Sequence, residues 1–409
     1  MIKVLTRKMP SSNDEISILG YGCMRFQRKL GAIDMAQTEK QLLLALDYGV
    51  NYFDTAAIYP GSERVVGEIL SKSDEKGKIR DRVFLATKMH LMFAKTRGDM
   101  ERIFSASLEK LKTDYIDYFL VHSLASFSEW EKGKNNGLID FLNELRISKK
   151  VRHIGFSWHG NLHDFKEMVD DYDWDFCQLQ FNYIDENHQA GLEGLNYAAE
   201  KNLGIIVMEP LRGGLLADKS QIPPGALKIF DDFSKNSNEP SNKTPAEWAL
   251  RWIWNHPAVT CVLSGMNEEF QIEENVRIAS GATANSLNSD ELVMIDKVKN
   301  IFHNSIKVNC TGCSYCMPCP AGVNIPLCFS DYNNYAMFKS ARTKFIHNFY
   351  LRGRGKKPAA IASNCKKCGI CEKKCPQGIE IIKSLEEVAT TIEGPLYKGI
   401  AKLASSFMG

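Results

Sequence analysis

Residues 39–56 read EKQLLLALDYGVNYFDTA, an amphipathic stretch that leads into an apolar run. Leu42, Leu43 and Leu46 share one side of the predicted helix, and Gly49 follows as its C-terminal cap. Residues 52–56 then have the length and composition of a buried strand. Farther along, Ser62 is predicted to cap a second helix over residues 63–70. Helices that alternate with buried strands are typical of a parallel sheet with crossover helices.

The same alternation continues from residue 15 to residue 265. Amphipathic stretches separate eight short apolar runs, which are residues 16–23, 52–56, 83–88, 115–122, 153–158, 176–182, 204–208 and 259–264. Eight parallel strands with crossover helices close most simply into a (β/α)8 TIM barrel, an α/β fold. A doubly wound open sheet is the alternative. An open sheet of this kind typically has a Gly-rich loop after its first strand, and Gly20-Tyr21-Gly22 has no third glycine in register.

Eight of the 12 cysteines lie in two runs near the C-terminal end of the chain, and Cys328 lies between the runs. Residues 310–320 read CTGCSYCMPCP, and residues 365–376 read CKKCGICEKKCP. This spacing is typical of a two-cluster ferredoxin. The interval between the runs has a helical pattern over residues 335–350, which predicts a small, mostly helical ferredoxin-like iron–sulfur domain.

Thiolates are soft ligands that suit iron–sulfur cores, and the fourth cysteine of each run usually serves the other cluster. We therefore expect two 4Fe–4S clusters, although the first run has two residues rather than three before its fourth cysteine. A pair of zinc sites and a disulfide framework are the alternatives. Cys328 is left over and is predicted to be a buried thiol. The expected ligand sets are Cys310, Cys313, Cys316 and Cys375 for one cluster, and Cys365, Cys368, Cys371 and Cys319 for the other.

These patterns predict four segments. They are a barrel over residues 1–285, a linker helix over 286–305, a two-cluster domain over 306–385 and a C-terminal tail over 386–409. The 51 basic and 49 acidic residues are interleaved, so a nucleic-acid partner is not expected. No apolar stretch reaches 18 residues, so no membrane span is expected. A large chain with clustered thiols and no signal-peptide pattern indicates a reducing cytoplasm.

Four polar residues stand at the carboxyl ends of three successive predicted strands: Asp54, Tyr59, Lys88 and His122. In a closed barrel these ends meet at one mouth. A tyrosine has a pKa of about 10, and an adjacent ammonium lowers it. A carboxylate would hold that ammonium in place, and an imidazole could orient a carbonyl oxygen against the phenol. This set can protonate a carbonyl as hydride arrives, or perform the reverse.

The motifs around these four residues resemble those of the aldo/keto reductase superfamily over about residues 1–285. They are FDTAAIY at 53–59, GSE at 61–63, ATK at 86–88, DYIDYFLVH at 114–122 and IGFS at 154–157. The cysteine-rich region resembles the 4Fe–4S dicluster module fused to a subset of that superfamily. The resemblance implies that Tyr59 is the acid/base, that Lys88 and Asp54 tune it, and that His122 orients the substrate.

The resemblance also implies contacts to a nicotinamide cofactor. Ser157 and Gln178 would hold the carboxamide, although Trp158 replaces the expected Asn, and Met208 stands where an aromatic residue usually covers the ring. Glu274 and Asn275 match the adenine-binding pair. The loop after the eighth strand carries Gly265 and Gln271 at the usual phosphate-binding positions, beside Glu268 and Glu269. Acidic residues repel a 2′-phosphate, so NADH is favoured over NADPH.

FMN is the alternative cofactor for the barrel. Nicotinamide exchanges two electrons at once and each cluster passes one, whereas a flavin can do both. Arg25 could reach an anionic substrate or cofactor. The candidate phosphate contacts are Arg212, Gly213, Gly214, Ser264 and Gly265, although turn geometry equally explains the paired glycines.

The sequence therefore predicts an oxidoreductase that couples hydride and proton chemistry on a small carbonyl or unsaturated substrate to one-electron transfer through two clusters. The alternative is an electron-transfer or redox-sensing protein with a non-catalytic barrel. Trp158 and His159 are candidate substrate contacts. A ferredoxin or flavodoxin-like carrier is a candidate partner. Its docking surface would include Lys366, Lys367, Lys373 and Lys374, which an ordinary solvated face explains equally well.

Overall fold

The computed structural model describes residues 2–236, 243–310, 312, 314–353 and 358–394. These residues form two compact units. The first comprises residues up to 214 together with 243–292, and the second comprises 215–236 together with the described residues from 293 to 394.

The first unit contains a closed barrel of eight parallel strands, which confirms the predicted fold and excludes the open sheet. Each strand pairs with its neighbours in chain order, and the eighth strand pairs with the first. The strands are β1 (Leu19–Gly22), β2 (Tyr52–Asp54), β3 (Phe84–His90), β4 (Ile116–Leu124), β5 (Val151–Trp158), β6 (Phe176–Gln180), β7 (Gly204–Met208) and β8 (Cys261–Ser264).

The first predicted strand is divided in two. Glu15–Ser17 pairs antiparallel with Thr6–Lys8 in a separate two-stranded sheet, and only Leu19–Gly22 enters the barrel. Two further small antiparallel pairs join Arg28–Lys29 to Ala32–Ile33 and Ser73–Asp74 to Gly77–Lys78. The barrel interior is packed with side chains from alternate strand positions, which include Tyr52, Ala86, Tyr118, Leu120, Phe176, Ile206, Cys261 and Leu263.

Helices follow the strands of the first unit. Gly49 ends the first helix with a φ of 93°, as predicted for a C-terminal cap. The second helix begins differently from the prediction, since Gly61 occupies the cap position and Ser62 is the first helical residue. The helices are α1 (Met35–Asp47), α2 (Ser62–Leu70), α3 (Arg97–Leu111), α4 (Phe127–Asn135), α5 (Leu138–Ile147), α6 (Leu162–Asp170), α7 (Gly191–Glu200), α9 (Pro245–Trp254) and α10 (Glu269–Ala279).

The second unit is helical. The region predicted as one helix over 335–350 contains two, because Lys339 adopts a left-handed conformation with a φ of 52°. The last helix continues past residue 385 and buries Leu385, Val388 and Ile392 in the core. The helices are α8 (Pro224–Asn236), α12 (Ile325–Phe338), α13 (Ala341–Leu351), α14 (Ile370–Lys374) and α15 (Ile381–Ile392). Helix α11 (Ser289–His303) contains the boundary between the units.

Within the described ranges, every helix is too short or too polar to cross a lipid bilayer. The predicted C-terminal tail overlaps helix α15, and residues 395–409 lie outside the described part of the chain.

Candidate active site and cluster sites

An ion pair between Asp54 and Lys88 lies at the carboxyl ends of β2 and β3. The Lys88 ammonium contacts Asp54 Oδ1 and donates a hydrogen bond of 3.0 Å to the Thr55 carbonyl. Gln178 Nε2 donates to the other carboxylate oxygen of Asp54 at 3.0 Å. Lys88 is only 1% exposed. Both charges are therefore satisfied inside the barrel, as a buried pair requires.

Tyr59 and His122 lie beside this pair, so the structure brings together the four residues predicted to form the site. The Lys88 Nζ atom is 5.1 Å from the centre of the Tyr59 ring, and the His122 ring meets that ring edge-on at 5.9 Å. Burial raises the pKa of Tyr59, although Lys88 opposes the shift. Lys88 lowers the pKa of Tyr59 as expected, but burial outweighs the ammonium, so the net shift is upward.

His122 is a neutral imidazole. Burial, followed by the positive charge of Lys88, lowers the pKa of His122 to about 2. Its Nδ1 atom is buried and has no hydrogen-bond partner among the described residues. A neutral ring at this position can donate one N–H to a substrate oxygen beside the Tyr59 hydroxyl.

The loop after β2 is held in place by its own polar residues. The Ala57 N–H donates to the Lys88 carbonyl at 3.2 Å, which prolongs the pairing of β2 with β3. The Ser62 hydroxyl donates to the Cys23 carbonyl at 2.8 Å and contacts the Thr55 hydroxyl at 2.7 Å. These bonds explain why Ser62 does not cap helix α2, and they fix the loop that carries Tyr59.

The chain directly after His122 contains a strand irregularity. The register between β4 and β5 shifts after Val121, and Ser123 adopts a left-handed conformation with a φ of 58°. The Ser123 N–H donates to the Ser157 hydroxyl at 2.7 Å. Ser157 is fully buried and lies opposite Gln178 in the β5–β6 pairing. Two predicted carboxamide contacts therefore also support the residues of the site, a role that the sequence pattern did not indicate.

The other predicted cofactor residues lie at the ends of β7 and β8 and on helix α10. Met208 ends β7 and is partly buried. Asn275 Nδ2 donates to the Ser264 hydroxyl at 2.8 Å, so these two residues lie together. Glu274 accepts a hydrogen bond of 2.7 Å from the Thr244 hydroxyl at the start of helix α9.

Arg212 is held by a buried carboxylate that the sequence analysis missed. Its Nε atom lies 2.7 Å from Asp185 Oδ2, and the Gln180 and Asn182 amides donate to the same oxygen at 3.0 and 2.9 Å. A pairing of Arg212 with a phosphate would therefore have to compete with Asp185. The polar residues at alternate positions, Gln178, Gln180 and Asn182, were the available signal for this network.

Arg25 lies against the loops after β7 and β8. A Cβ atom at Gly213 would come within 2.8 Å of an Arg25 Nη atom, and one at Gly265 within 3.0 Å of the Arg25 Cδ atom. A side chain at either position would require Arg25 to shift. An exposed guanidinium between two glycine loops is suited to an anion.

The loop between β8 and helix α10 retains acidic charge. Glu268 is exposed and accepts a hydrogen bond of 2.6 Å from Gln27 Nε2. Glu269 forms an ion pair of 2.7 Å with Lys40. Gln271 accepts the Asn267 N–H at 3.0 Å.

Two histidines add to the surroundings of His122. The His90 ring lies 5.7 Å from the His122 ring, and its position two residues after Lys88 on β3 could have predicted this. Burial lowers the pKa of His159 to about 4. The Trp158 indole is fully buried against Phe156 and Phe165 and donates to the Asn161 carbonyl at 3.2 Å, and its contact with substrate stays a prediction.

The described cysteines of the first expected ligand set surround one cavity. Cys310, Cys316 and Cys375 line one small cavity in the second unit, together with apolar residues that include Ile325, Phe329 and Ile381. Cys313 lies outside the described residues. Three thiols in an apolar cavity fit an iron–sulfur cluster.

Three of the four cysteines in the second expected ligand set pack with the same apolar core. Cys371 is buried, Cys319 and Cys365 are partly buried, and Cys368 is exposed. The Lys367 N–H points to the Cys365 sulfur at 3.4 Å, and such N–H contacts stabilise thiolates. Cys328 is a fully buried thiol whose sulfur donates to the Ala360 carbonyl at 3.8 Å, as expected for a residue outside both sets.

Two parts of the chain match two different families of known proteins. Residues 18–300 match the aldo/keto reductase family, and residues 309–380 match a 4Fe–4S dicluster domain. The oxidoreductase YqkF of Bacillus subtilis is 26% identical over 303 residues, which cover 67% of this chain and 90% of that protein. The L-galactose dehydrogenase of Arabidopsis thaliana is 24% identical over 318 residues, which cover 74% of this chain and 97% of that protein.

Solved structures show the same barrel. The holo form of an aldo-keto reductase from Bacillus halodurans aligns with a TM-score of 0.58 and 24% identity, over 72% of this chain and 96% of that one. An aldo/keto reductase from Klebsiella pneumoniae in complex with NADP and acetate aligns with a TM-score of 0.57 and 21% identity, over 73% of this chain and 96% of that one. Because the family match extends over residues 18–300 of 409, this chain is an oxidoreductase of the aldo/keto reductase family that carries a C-terminal 4Fe–4S dicluster domain.

Proposed function

We propose that the barrel reduces a small carbonyl or unsaturated substrate, with Tyr59 as the acid that supplies the proton. The observation that carries this proposal is the buried Asp54–Lys88 pair beside Tyr59 and His122. The raised pKa of Tyr59 keeps its hydroxyl protonated at neutral pH, which supports donation of a proton over its removal.

Each of the four side chains has a separate role in this proposal. Lys88 stabilises the phenolate that remains after Tyr59 has given up its proton. Burial opposes the charge on Lys88, but Asp54 and Tyr59 outweigh it, so the pKa of Lys88 is raised and the ammonium persists. Neutral His122 donates an N–H to the substrate oxygen and holds it against the phenol.

A nicotinamide cofactor would supply the hydride when bound. Ser157 and Gln178, buried next to the site, would hold its carboxamide end, and Met208 would cover the ring. Glu274 and Asn275 would hold the adenine end beside Ser264. Exposed Glu268 supports NADH over NADPH, although the Klebsiella pneumoniae relative was solved with NADP.

The Tyr59→Phe variant tests the acid assignment. Loss of a general acid is expected to lower the reduction rate by about 100- to 10,000-fold, while iron content and visible absorbance stay as in the wild type. A Tyr48→Phe variant, which changes a tyrosine outside the site, serves as the control. Wild-type turnover in Tyr59→Phe would contradict the assignment and favour a barrel that only relays or senses electrons.

FMN is a second candidate cofactor, and the position of Arg25 against Gly213 and Gly265 supports it. This guanidinium could bind the single phosphate of a flavin mononucleotide. Acid precipitation of protein purified without oxygen distinguishes the two cofactors. A stoichiometric amount of fluorescent flavin in the supernatant supports FMN. Absence of flavin, with tighter binding of NADH than of NADPH in a titration, supports the nicotinamide proposal.

The clusters would pass single electrons to or from a carrier protein. Cys368, a proposed ligand, is exposed, and the nearby Lys366, Lys373 and Lys374 are exposed as well. Lys367 is paired with Glu386. An exposed ligand among cationic side chains suits an acidic partner, such as a ferredoxin or flavodoxin-like carrier.

A further inference from the structure

A chain of buried charges crosses the second unit. His347 is fully buried, with its Nδ1 atom 2.8 Å from Asp331 and its Nε2 atom 3.1 Å from Glu393. Burial opposes a charge on this ring, but the two carboxylates outweigh it, so the pKa of His347 is raised. His347 therefore connects helices α12 and α13 to the end of helix α15.

Glu393 is the member of this chain that bonds to the segment just before Cys365. Its carboxylate accepts the Ala362 N–H at 2.6 Å and the Ser363 N–H at 3.0 Å, in addition to its bond with His347. Residues Ala362–Asn364 form a short 3-10 turn, and two of the backbone donors at its start are satisfied by this one side chain.

That turn leads directly into the second cysteine run. The Cys365 N–H donates to the Ala362 carbonyl at 3.0 Å, so the position of Cys365 depends on the turn that Glu393 holds. The buried thiol of Cys328 contacts the Ala360 carbonyl just before the turn. Asn364 adds a side-chain bond of 2.7 Å to the Ala359 carbonyl.

The end of helix α15 is itself anchored by helix α13. Asn348 Nδ2 donates to the Ile392 carbonyl at 2.7 Å, and Arg352 Nη2 donates to the Glu393 carbonyl at 2.6 Å. These bonds satisfy carbonyls that a helix terminus leaves unpaired. Glu393 is thus fixed at both its backbone and its side chain.

A metal site is the competing explanation for part of this cluster. Donor atoms of Cys328, His347 and Glu393 lie within 4.8 Å of one another. However, both His347 nitrogens already face carboxylates, and Glu393 already accepts two backbone N–H groups. Hydrogen bonding accounts for the arrangement, and a metal would have to break it.

We propose that Glu393, held by His347 and Asp331, is a positioning residue for the cluster bound by Cys365, Cys368, Cys371 and Cys319. This inference rests on the proposed ligand sets. Glu393 lies beyond residues 309–380, which match the dicluster domain. Its carboxylate holds the turn before Cys365, which is a proposed ligand of one cluster only, so we expect its loss to affect that cluster and to leave the other unchanged.

The test uses the full-length protein purified without oxygen. In Glu393→Gln, we expect a change in the cluster of the second ligand set only. Either this cluster is lost, and iron falls from about eight to about four atoms per chain, or it keeps its iron and its reduction potential rises while that of the other cluster does not. Glu387→Gln is the matched control, since it removes the same charge from helix α15, where Glu387 accepts a bond from Tyr332. Electron paramagnetic resonance of the reduced protein reports each cluster separately.

A Cys371→Ser variant identifies which signal belongs to the second ligand set. If the resonance signal that is lost in Glu393→Gln is kept in Cys371→Ser, Glu393 acts on a cluster that Cys371 does not bind. That result would overturn the ligand sets, and the inference with them. Equal loss of both clusters, or two unchanged clusters, would overturn the positioning role alone. If Glu393→Gln does not fold, the His347→Gln variant replaces it in the test. We expect a smaller effect on the same cluster. An effect on both clusters, or on neither, would contradict the proposal.

Discussion

Lys88 remains charged inside the barrel because Asp54 and Tyr59 lie beside it. A buried ion pair loses the hydration of both partners, and this cost often equals or exceeds the attraction that it gains. The pair therefore supports the proposed role of Tyr59 as an acid better than it supports the stability of the barrel. Gln178 completes the arrangement, since it donates to the carboxylate oxygen that Lys88 leaves available.

Ser157 links the stability of the barrel to the position of His122. In Ser157→Ala the Ser123 N–H loses its acceptor in a buried strand end, so we expect the free energy of unfolding to fall by about 1–3 kcal/mol. We also expect kcat for reduction to fall, because the chain next to His122 is no longer fixed. Denaturant unfolding can be followed by tryptophan fluorescence, since all six tryptophans lie in the barrel unit.

Ser157→Thr is the control for this variant, because it keeps the hydroxyl group. Its stability and kcat should lie closer to the wild type than those of Ser157→Ala. Unchanged kcat in Ser157→Ala would show that His122 does not depend on the Ser123–Ser157 bond.

Among the elements, the parallel strands determine where the residues of the proposed active site lie. Apolar runs predicted the eight strands because each strand is buried on both faces, and the shared direction of the strands predicted that Asp54, Lys88 and His122 meet. Ends and caps were predicted less well. Ser62 bonds to the Cys23 carbonyl instead of capping a helix, and Lys339 breaks the expected helix, since both depend on contacts absent from any periodic pattern.

Helix α14 and the residues before it provide the element-scale prediction for electron transfer. Replacement of Lys366, Lys373 and Lys374 by Gln is expected to slow cluster reduction by reduced flavodoxin about tenfold at low salt, since steering by charge raises association rates. The wild-type rate should fall as salt is added. Stopped-flow absorbance of the clusters measures both effects.

The control replaces three exposed lysines of the barrel unit, Lys8, Lys29 and Lys78, which should leave the rate unchanged. A salt-independent rate, or equal slowing in both triple variants, would assign the lysines near Cys368 to an ordinary solvated surface.

The whole molecule combines an aldo/keto reductase barrel with a 4Fe–4S dicluster domain. The alternation of apolar runs with amphipathic stretches and the spacing of the cysteines were enough to predict both parts. They did not predict that residues 215–236 group with the second unit, because an apolar pattern shows that a face is buried but not which unit covers it. They also did not predict the raised pKa of Tyr59, which depends on how closely the barrel encloses the phenol.

The measurement that tests the central claim most directly is the pH dependence of kcat/KM for substrate reduction, in the wild type and in Tyr59→Phe. Tyr59 acts as an acid only while protonated, so activity is present below its raised pKa and is lost as the pH rises through it. His122 stays neutral above about pH 2. The account predicts a flat profile from about pH 5 to 8, and a single decline above the ordinary tyrosine pKa of about 10 that Tyr59→Phe lacks. A limb near pH 6.5, or the same alkaline decline in Tyr59→Phe, would contradict it.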